Sequence, residues 1–275
     1  MNIKQLIDKL IESGIEENEA KNEVKILLEH FYNYTEIDKI KGKTIPEAAI
    51  LSLEKKINER IDLKKPIQYI TGKAWFMGDF YKVTPEVLIP RDETEILVQK
   101  AIDIINNNTF LDVLDIGTGS GCIACSIAKN TKATVLGIDI STDALRIALD
   151  NVTQLGLNNK AIFRKSDLFD NIREGETFDV IISNPPYIPT DTKLEEEVLK
   201  EPHIALFAKD NGLYFYKKII EQAPSYLNEG GYLMFEIGIN ESLEVKILME
   251  KNFTNINVIK DFNSIDRVIY GKLKN

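Results

Sequence analysis

The spacing of hydrophobic residues divides the chain into a helical beginning and a longer α/β remainder. In residues 1–65, apolar side chains recur every three or four positions, which is the period of helices with one buried face. Three such runs contain Ile3, Leu6, Ile7, Leu10 and Ile11, then Val24, Leu27 and Leu28, then Ala48, Leu51, Leu53 and Ile57. We therefore predict a small helical domain over 1–65. It shows no catalytic constellation, so we predict a substrate-docking or positioning role, with a purely structural role as the alternative.

The pattern changes after residue 65. Residues 66–90 hold two aromatic, β-prone runs, Pro66–Gly72 and Trp75–Val83, which predict a β-hairpin linker. From 91 to 275, short apolar strands alternate with helical segments, as in a mostly parallel sheet covered by helices. The last two strands, near Ile256–Lys260 and Arg267–Tyr270, are separated by a short polar turn and are predicted to pair antiparallel.

Composition places few limits on this picture. A hydrophobic content of 44% and a charged content of 28% are ordinary for a globular protein. No run approaches the roughly 20 apolar residues of a membrane helix, and the amino terminus lacks a signal-peptide core, so we expect a cytoplasmic protein without a membrane partner. Cys122 and Cys125 have Cys-x-x-Cys spacing. Without a second pair or a nearby His, they are predicted to be small core residues, and no metal is expected.

The charge is unevenly distributed. The net charge is −9, yet the first 73 residues hold 13 basic and 13 acidic side chains, against 21 and 30 in the remainder. Proteins that follow nucleic-acid phosphates usually carry a basic stripe. The acidic remainder therefore argues against direct nucleic-acid binding.

The most informative segment is Asn184-Pro185-Pro186-Tyr187, which follows the apolar run Val180–Ile182. The run predicts a strand buried on both faces, and the prolines end it in a stiff loop. Ligands of open α/β sheets bind outside the carboxyl ends of the strands, where this loop would lie. The side-chain oxygen of Asn184 and the carbonyl of Pro185 would form two fixed acceptors for a planar –NH2 group, with Tyr187 beside it. A simple turn is the alternative when this motif stands alone.

A glycine loop lies about seventy residues upstream. Asp115-Ile-Gly117-Thr118-Gly119-Ser120-Gly121 follows a predicted strand and opens a helix, and its glycines allow close backbone approach to a ligand. The dinucleotide fingerprint has Gly-x-Gly-x-x-Gly, whereas here the third glycine comes one position early and Cys122 takes its place. The preceding Asp115 suits an amine-bearing ligand end better than a pyrophosphate.

Acids also end the next two predicted strands. Asp139 lies 18 residues past Gly121, where a carboxylate can accept from both hydroxyls of a ribose. Asp167 ends the third strand, where it can accept from an adenine amino group while Leu168 covers the ring. Three acids at successive strand ends favour ligand contacts over solvated surface charges.

These motifs resemble those of S-adenosylmethionine-dependent methyltransferases, and specifically the peptide chain release factor glutamine methyltransferases. The resemblance covers almost the whole chain. It is carried, besides the motifs above, by Pro66–Ile70, Leu88–Arg91 with Thr94-Glu95, Glu201-Pro202 with Ala205-Leu206, Asp210 with Gly212-Leu213 and Tyr216, and Glu236–Gly238. It implies a Rossmann-like class I methyltransferase domain over 91–275, with the last strand antiparallel.

The resemblance implies S-adenosyl-L-methionine as cofactor, S-adenosyl-L-homocysteine as product, and class I release factors as protein partners. The methyl acceptor would be the side-chain amide of the glutamine in their Gly-Gly-Gln loop. Asn184 and Pro185 are the expected catalytic residues, and Glu201 is the candidate if a general base exists. Expected substrate contacts are Asn184, Pro185, Pro186, Tyr187 and Arg91. Expected cofactor contacts are Asp115, Gly117, Thr118, Gly119, Ser120, Gly121, Asp139, Asp167, Leu168 and Asn184.

Three alternatives remain at this point. Asn-Pro-Pro-Tyr is shared with nucleic-acid methyltransferases that modify adenine or guanine amino groups, although these should bring a basic groove or a target-recognition domain. A glutamine methyltransferase acting on a ribosomal protein would keep every site residue. A non-catalytic binding module would have lost the cofactor site, and the intact glycine loop, Asp139 and Asn184 argue against it.

Overall fold

The computed structural model describes residues 2–274. Their contacts form two compact units, one containing the residues up to Gly72 together with Leu194–Lys200, the other containing Lys73–Lys193 and the chain from Glu201 onward. The helices are α1 (Ile3–Glu12), α2 (Glu17–Tyr32), α3 (Glu36–Ile40), α4 (Glu47–Asp62), α5 (Ile67–Thr71), α6 (Asp92–Asn108), α7 (Cys122–Asn130), α8 (Thr142–Gln154), α9 (His203–Leu206), α10 (Tyr214–Gln222) and α11 (Ser242–Met249). The strands are β1 (Lys73–Phe76), β2 (Asp79–Lys82), β3 (Asp112–Ile116), β4 (Thr134–Asp139), β5 (Ala161–Lys165), β6 (Phe178–Ser183), β7 (Ile188–Pro189), β8 (Phe207–Ala208), β9 (Leu227–Glu236), β10 (Phe253–Lys260) and β11 (Asp266–Leu273).

The first unit is built around the predicted amphipathic helices α1, α2 and α4. Its core contains Leu6, Leu10, Val24, Leu27, Leu53 and Ile57, each almost fully buried. On α4, Ile50 rather than Leu51 continues the buried stripe, because positions 50, 53 and 57 follow helical spacing and Leu51 lies off it, 53% exposed. The expectation that Ala48 and Leu51 belong to this core is therefore wrong.

A buried ion cluster ties Leu194–Lys200 to the helices of this unit. Arg60 of α4 bonds Glu23 of α2 through Nε, 3.0 Å from Oε1, and bonds Glu197 through Nη2, 2.7 Å from Oε2. The Arg60 and Glu23 side chains are each only 4% exposed. Breaking a buried pair leaves an uncompensated charge, so this cluster fixes where Glu197 lies.

The second unit contains a seven-stranded sheet in the order β10-β11-β9-β6-β3-β4-β5. β3, β4, β5, β6 and β9 run parallel, and β11 pairs antiparallel with both β9 and β10. Alternate residues of the central strands enter opposite cores. Val113 packs under α6 and α7, and Leu114 packs on the side of α10 and α11. The predicted Rossmann-like sheet with an antiparallel last strand is confirmed.

Two cysteines and the hairpin complete the first of these cores. Cys122 and Cys125 are buried free thiols within it, and burial raises the pKa of Cys122 to about 12. β1 and β2 form an antiparallel hairpin that places Phe76 and Tyr81 in the same core. Both groups of residues thus serve packing.

Residues 67–71 differ from the expected pattern, because they form helix α5 rather than part of a hairpin. Pro66 precedes the helix, and its ring suits the start of a helix. Gly72 then ends it at φ +71°, a conformation that glycine adopts without strain. The hairpin itself begins only at Lys73.

Candidate active site

A cleft opens at the carboxyl ends of the parallel strands β3, β4, β5 and β6. This edge of the sheet is where ligands of open α/β folds bind. Of the predicted site residues, eight line it: Gly117, Gly119, Asp139, Asp167, Leu168, Asn184, Pro185 and Pro186. The structure therefore places the glycine loop and the Asn-Pro-Pro segment around one cavity.

The glycine loop is held by the neighbouring strand. The backbone N–H groups of Gly117 and Thr118 both donate to the carbonyl of Ile138, each at 2.9 Å. Gly117 has φ +73°, a backbone conformation that glycine adopts without strain, and a Cβ added there would point into open space. Glycine therefore both permits this turn and leaves the cleft open. Gly121 is needed for a different reason. A Cβ there would lie 3.0 Å from Ala148 and from Phe163, so this glycine permits close packing of α7.

Asp115 lies behind this loop and is fully buried. Its Oδ2 accepts from the Thr118 hydroxyl at 2.6 Å, while Oδ1 makes no hydrogen bond of standard length and angle within the described residues and has only a weak interaction with the N–H of Ala124. Burial raises the pKa of Asp115 to about 7. Because an unpaired buried acceptor costs free energy, the site is suited to a ligand that brings a donor or a cation. The amine-bearing end of S-adenosylmethionine fits that requirement, directly or through a water molecule.

The two other strand-end acids differ in their surroundings. Asp139 accepts from the N–H of Gly119 at 2.9 Å and from the N–H of Ser141 at 2.8 Å, so its carboxylate is oriented before any ligand binds. Burial raises its pKa. Asp167 is exposed at the cleft, and Leu168 beside it has φ +45°. Their positions fit the expected ribose and adenine contacts.

Arg91 and Tyr187 lie outside the residues that line the cleft. Arg91 forms an ion pair with Glu201, whose other carboxylate oxygen accepts the N–H of Ile89 at 2.9 Å. Glu201 is thus committed to holding the Ile89–Arg91 segment and is poorly placed for proton abstraction. Tyr187 directs its hydroxyl to Glu236, at 3.3 Å from Oε1. Burial raises the pKa of Tyr187, so it stays protonated as a donor.

Several site residues carried no assigned role in the sequence. Glu86–Leu88 line one side of the cleft, and Pro202, Ile204 and Ala205 line another. Behind Asn184, Thr94 and Glu236 form a buried polar pair with a hydrogen bond of 2.5 Å. The available signal was Glu236 itself, a carboxyl group that ends the apolar run Leu233–Phe235 in a strand buried on both faces.

Comparisons with known proteins show the family to which the chain belongs. The sequence model of the family described as "Methyltransferase small domain" matches residues 92–266, more than half of the chain. A release factor glutamine methyltransferase of Fusobacterium nucleatum is 38% identical over 90% of this chain and 73% of its own length. A protein with the same name from Buchnera aphidicola is 37% identical over 100% of both chains. A 16S rRNA N2 G1207 methyltransferase of Thermus thermophilus, solved with AdoMet and guanosine, has a TM-score of 0.55 at 18% identity over 74% of this chain and 50% of that one. This last similarity concerns the fold.

The sheet order, the glycine loop and the matched domain together define a Rossmann-like class I methyltransferase. Within that class the relatives share more than a third of their residues with this chain over most of its length. The chain belongs to the release factor glutamine methyltransferase family.

Proposed function

We propose that the chain methylates the side-chain amide nitrogen of the glutamine in the Gly-Gly-Gln loop of class I peptide chain release factors. The observation that carries the proposal is the position of Asn184 and Pro185 on the same cleft as the glycine loop. The relatives' shared name supports the choice of substrate. S-adenosylmethionine is the methyl donor and S-adenosylhomocysteine is the product.

The residues that line the cleft fit this donor. Asp139 provides the acceptor for the ribose hydroxyls, and Asp167 with Leu168 the contacts for adenine. Asp115, buried behind the glycine loop, is proposed to attract the amine end. S-adenosylmethionine supplies a methyl group on a sulfonium, which is already a good leaving group. The protein therefore has to position the acceptor nitrogen rather than activate the methyl group.

Activation of the amide nitrogen is the task of the Asn-Pro loop. The lone pair of the substrate's amide nitrogen is delocalised into the amide carbonyl. This lone pair becomes available for reaction when the nitrogen becomes pyramidal. Two acceptors, Oδ1 of Asn184 and the carbonyl of Pro185, would take both N–H hydrogens and favour that shape. This interaction strengthens towards the transition state, which is the condition for catalysis by binding, and it also aligns the nitrogen for in-line transfer.

We propose no general base. The methylated nitrogen becomes acidic as positive charge develops, and it can give one of its protons to solvent water after the methyl group has been transferred. Glu201, the candidate from the sequence, is occupied by Arg91 and the Ile89 N–H. Arg91 is then proposed to help orient the substrate segment at the edge of the site while it is held by Glu201.

The helical unit is proposed to dock the protein substrate. One glutamine side chain offers little contact area, whereas stable protein interfaces bury on the order of 1,200–2,000 Å². This unit carries large exposed apolar side chains on α3, with Ile37 62% exposed and Ile40 83% exposed. No helix among residues 2–274 is long and apolar enough to cross a membrane. The cytoplasmic location and the lack of direct nucleic-acid binding stay predictions.

The proposal is tested by incubating the enzyme and labelled S-adenosylmethionine with purified release factor, with the same factor carrying Gln→Ala in its Gly-Gly-Gln loop, with ribosomal proteins and with RNA. Label on the intact factor alone, assigned by mass spectrometry to the loop glutamine, is the expected result. Label on a ribosomal protein would identify the alternative glutamine methyltransferase. Label on RNA would make the chain a nucleic-acid methyltransferase.

A further inference from the structure

Behind the Asn-Pro loop, a chain of hydrogen bonds leads from Asn184 to a buried carboxylate. Nδ2 of Asn184 donates to Oγ1 of Thr94 at 3.2 Å, and Oγ1 of Thr94 donates to Oε2 of Glu236 at 2.5 Å. Thr94 and Glu236 are each 2% exposed, so water does not compete for these bonds. Thr94 lies in the first turn of α6 and Glu236 ends β9.

The direction of these bonds follows from counting hydrogens. A threonine hydroxyl has one hydrogen, and an ionised carboxylate only accepts. Once Thr94 donates to Glu236, its oxygen can only accept from Asn184. The –NH2 group of the Asn184 side chain must therefore face Thr94. Its carbonyl oxygen Oδ1 then points away from Thr94 and is free to accept a hydrogen bond.

We propose that Thr94 and Glu236 are positioning residues that hold the Asn184 amide with its oxygen directed to the –NH2 group of the substrate glutamine. The proposal rests on the proposed role of Asn184 as an acceptor. A reversed amide would present N–H to N–H, which removes the attraction and repels the substrate nitrogen. The pair thus selects the productive one of two amide orientations that have nearly the same shape.

A second bond links Glu236 to the other end of the same tetrapeptide. Its Oε1 accepts from the Tyr187 hydroxyl at 3.3 Å, so the two carboxylate oxygens serve residues connected to positions 184 and 187. The other charged or titratable groups near this residue are Glu93 at the start of α6, Arg267 of β11 and Tyr216 of α10, which donates to the Glu236 backbone carbonyl at 2.9 Å. One buried carboxylate therefore supports both ends of the loop.

Protonation of Glu236 would undo this selection. Burial raises the pKa of Glu236 to about 7, against 4.5 for the free side chain. A protonated Glu236 can donate to Thr94, which frees the Thr94 hydrogen to donate to Oδ1 and allows the amide to reverse. The rate of methyl transfer should therefore rise with pH as Glu236 ionises near pH 7.

The first test uses Thr94→Val and Thr94→Ser in the full-length enzyme. Thr94→Val keeps the shape without the hydroxyl, and kcat should fall roughly 10- to 100-fold, with the Kd of S-adenosylmethionine within about two-fold of wild type by calorimetry. Thr94→Ser restores the hydroxyl and should recover kcat to within a few-fold. Thr131→Val is the matched control, because this buried hydroxyl donates to the Ile127 carbonyl at 2.9 Å and should leave kcat unchanged. Equal losses in the Val and Ser variants, or wild-type kcat in Thr94→Val, would overturn the proposal.

The second test separates this proposal from the role of Asn184. Thr94→Val added to Asn184→Ala should cause no further loss, because there is no amide left to orient. Glu236→Gln should lower kcat and abolish its rise near pH 7, and an unchanged pH profile in that variant contradicts the proposal. If Asn184→Ala slows turnover but Thr94→Val does not, the proposed positioning role of Thr94 is excluded while the proposed function of the enzyme is kept. If Asn184→Ala itself has wild-type activity, the acceptor role fails first.

Discussion

The backbone N–H of Gly119 donates to Oδ2 of Asp139 at 2.9 Å, so the glycine loop and the acid at the end of β4 position each other. This contact joins the segments expected to hold opposite parts of the cofactor. A change in the loop geometry at residue 119 should therefore disturb both segments.

Gly119→Val should strongly weaken S-adenosylmethionine binding. Gly119 has φ +54°, where a β-branched residue is strained by about 1–3 kcal/mol, and the new side chain would enter the cleft. We expect the affinity measured by calorimetry to fall roughly 100-fold or more. Gly156→Val is the control, since Gly156 has φ +69° with open space around it and lies away from the cleft. Equal binding by Gly119→Val and wild type would remove the loop from the site.

Asn184→Ala should impair turnover far more than cofactor binding. Loss of one hydrogen bond that stabilises a transition state typically costs roughly 100- to 1,000-fold in kcat. The comparison variant is Asn228→Ala, whose amide bonds Asp179 at 2.8 Å and does not line the cleft. Steady-state kinetics with intact release factor gives both values. A change of only a few-fold in Asn184→Ala would exclude the acceptor role.

The pH dependence of stability should reveal the buried acids. Burial raises the pKa of both Asp115 and Glu236 to about 7. Each carboxyl group binds a proton more tightly in the folded protein than in the unfolded chain. Their contribution to the free energy of unfolding therefore increases as the pH falls from about 7, and it levels off below their pKa values in the unfolded chain. The effect is on the order of 4 kcal/mol for Asp115 and about 3 kcal/mol for Glu236.

Urea unfolding of the cofactor-free enzyme between pH 4 and 8 measures this slope. Asp115→Asn and Glu236→Gln should each flatten it over the same interval. If both variants keep the wild-type slope, these carboxyl groups do not titrate near neutrality in the folded protein.

Ile37→Ser combined with Ile40→Ser should weaken docking of intact release factor. Removing exposed apolar contact area from an interface raises the apparent KM, here by roughly ten-fold if the two residues contribute as anchors. kcat and the Kd of S-adenosylmethionine should not change. Phe262→Ser, which alters a fully exposed apolar side chain in the β10–β11 turn, is the control. An unchanged KM would assign this face of α3 no part in docking.

Local patterns sufficed for the sheet and for the ligand loops. The apolar run before Asn184 predicts a buried strand, and the strand–glycine–helix pattern around Gly117 predicts a ligand loop. Each prediction needs only a few consecutive residues. Since parallel strands share one carboxyl edge, the loops had to meet there, and the cleft lined by Asp139, Asp167 and Asn184 follows.

Contacts between distant positions had no such local signal. Thr94 and Glu236 are 142 residues apart and meet only because α6 packs beside β9. The prediction of a strand over residues 67–71 was wrong for another reason. Their β-branched and aromatic side chains favour a strand, while Pro66 and Gly72 permit one helical turn. Arg91 was expected at the substrate, and its ion pair with Glu201 depends on a segment 110 positions away.

The packing of Leu194–Lys200 with the helical unit limits how the protein can be rearranged by recombination. The chain enters this unit twice, once before Gly72 and again between Lys193 and Glu201. A chimera that exchanges only the first 72 residues with a relative would separate Arg60 from the half-buried Glu197 with which it forms an ion pair. The helical unit is therefore inherited together with the stretch that follows the Asn-Pro-Pro-Tyr loop, and a functional exchange between enzymes must transfer both pieces.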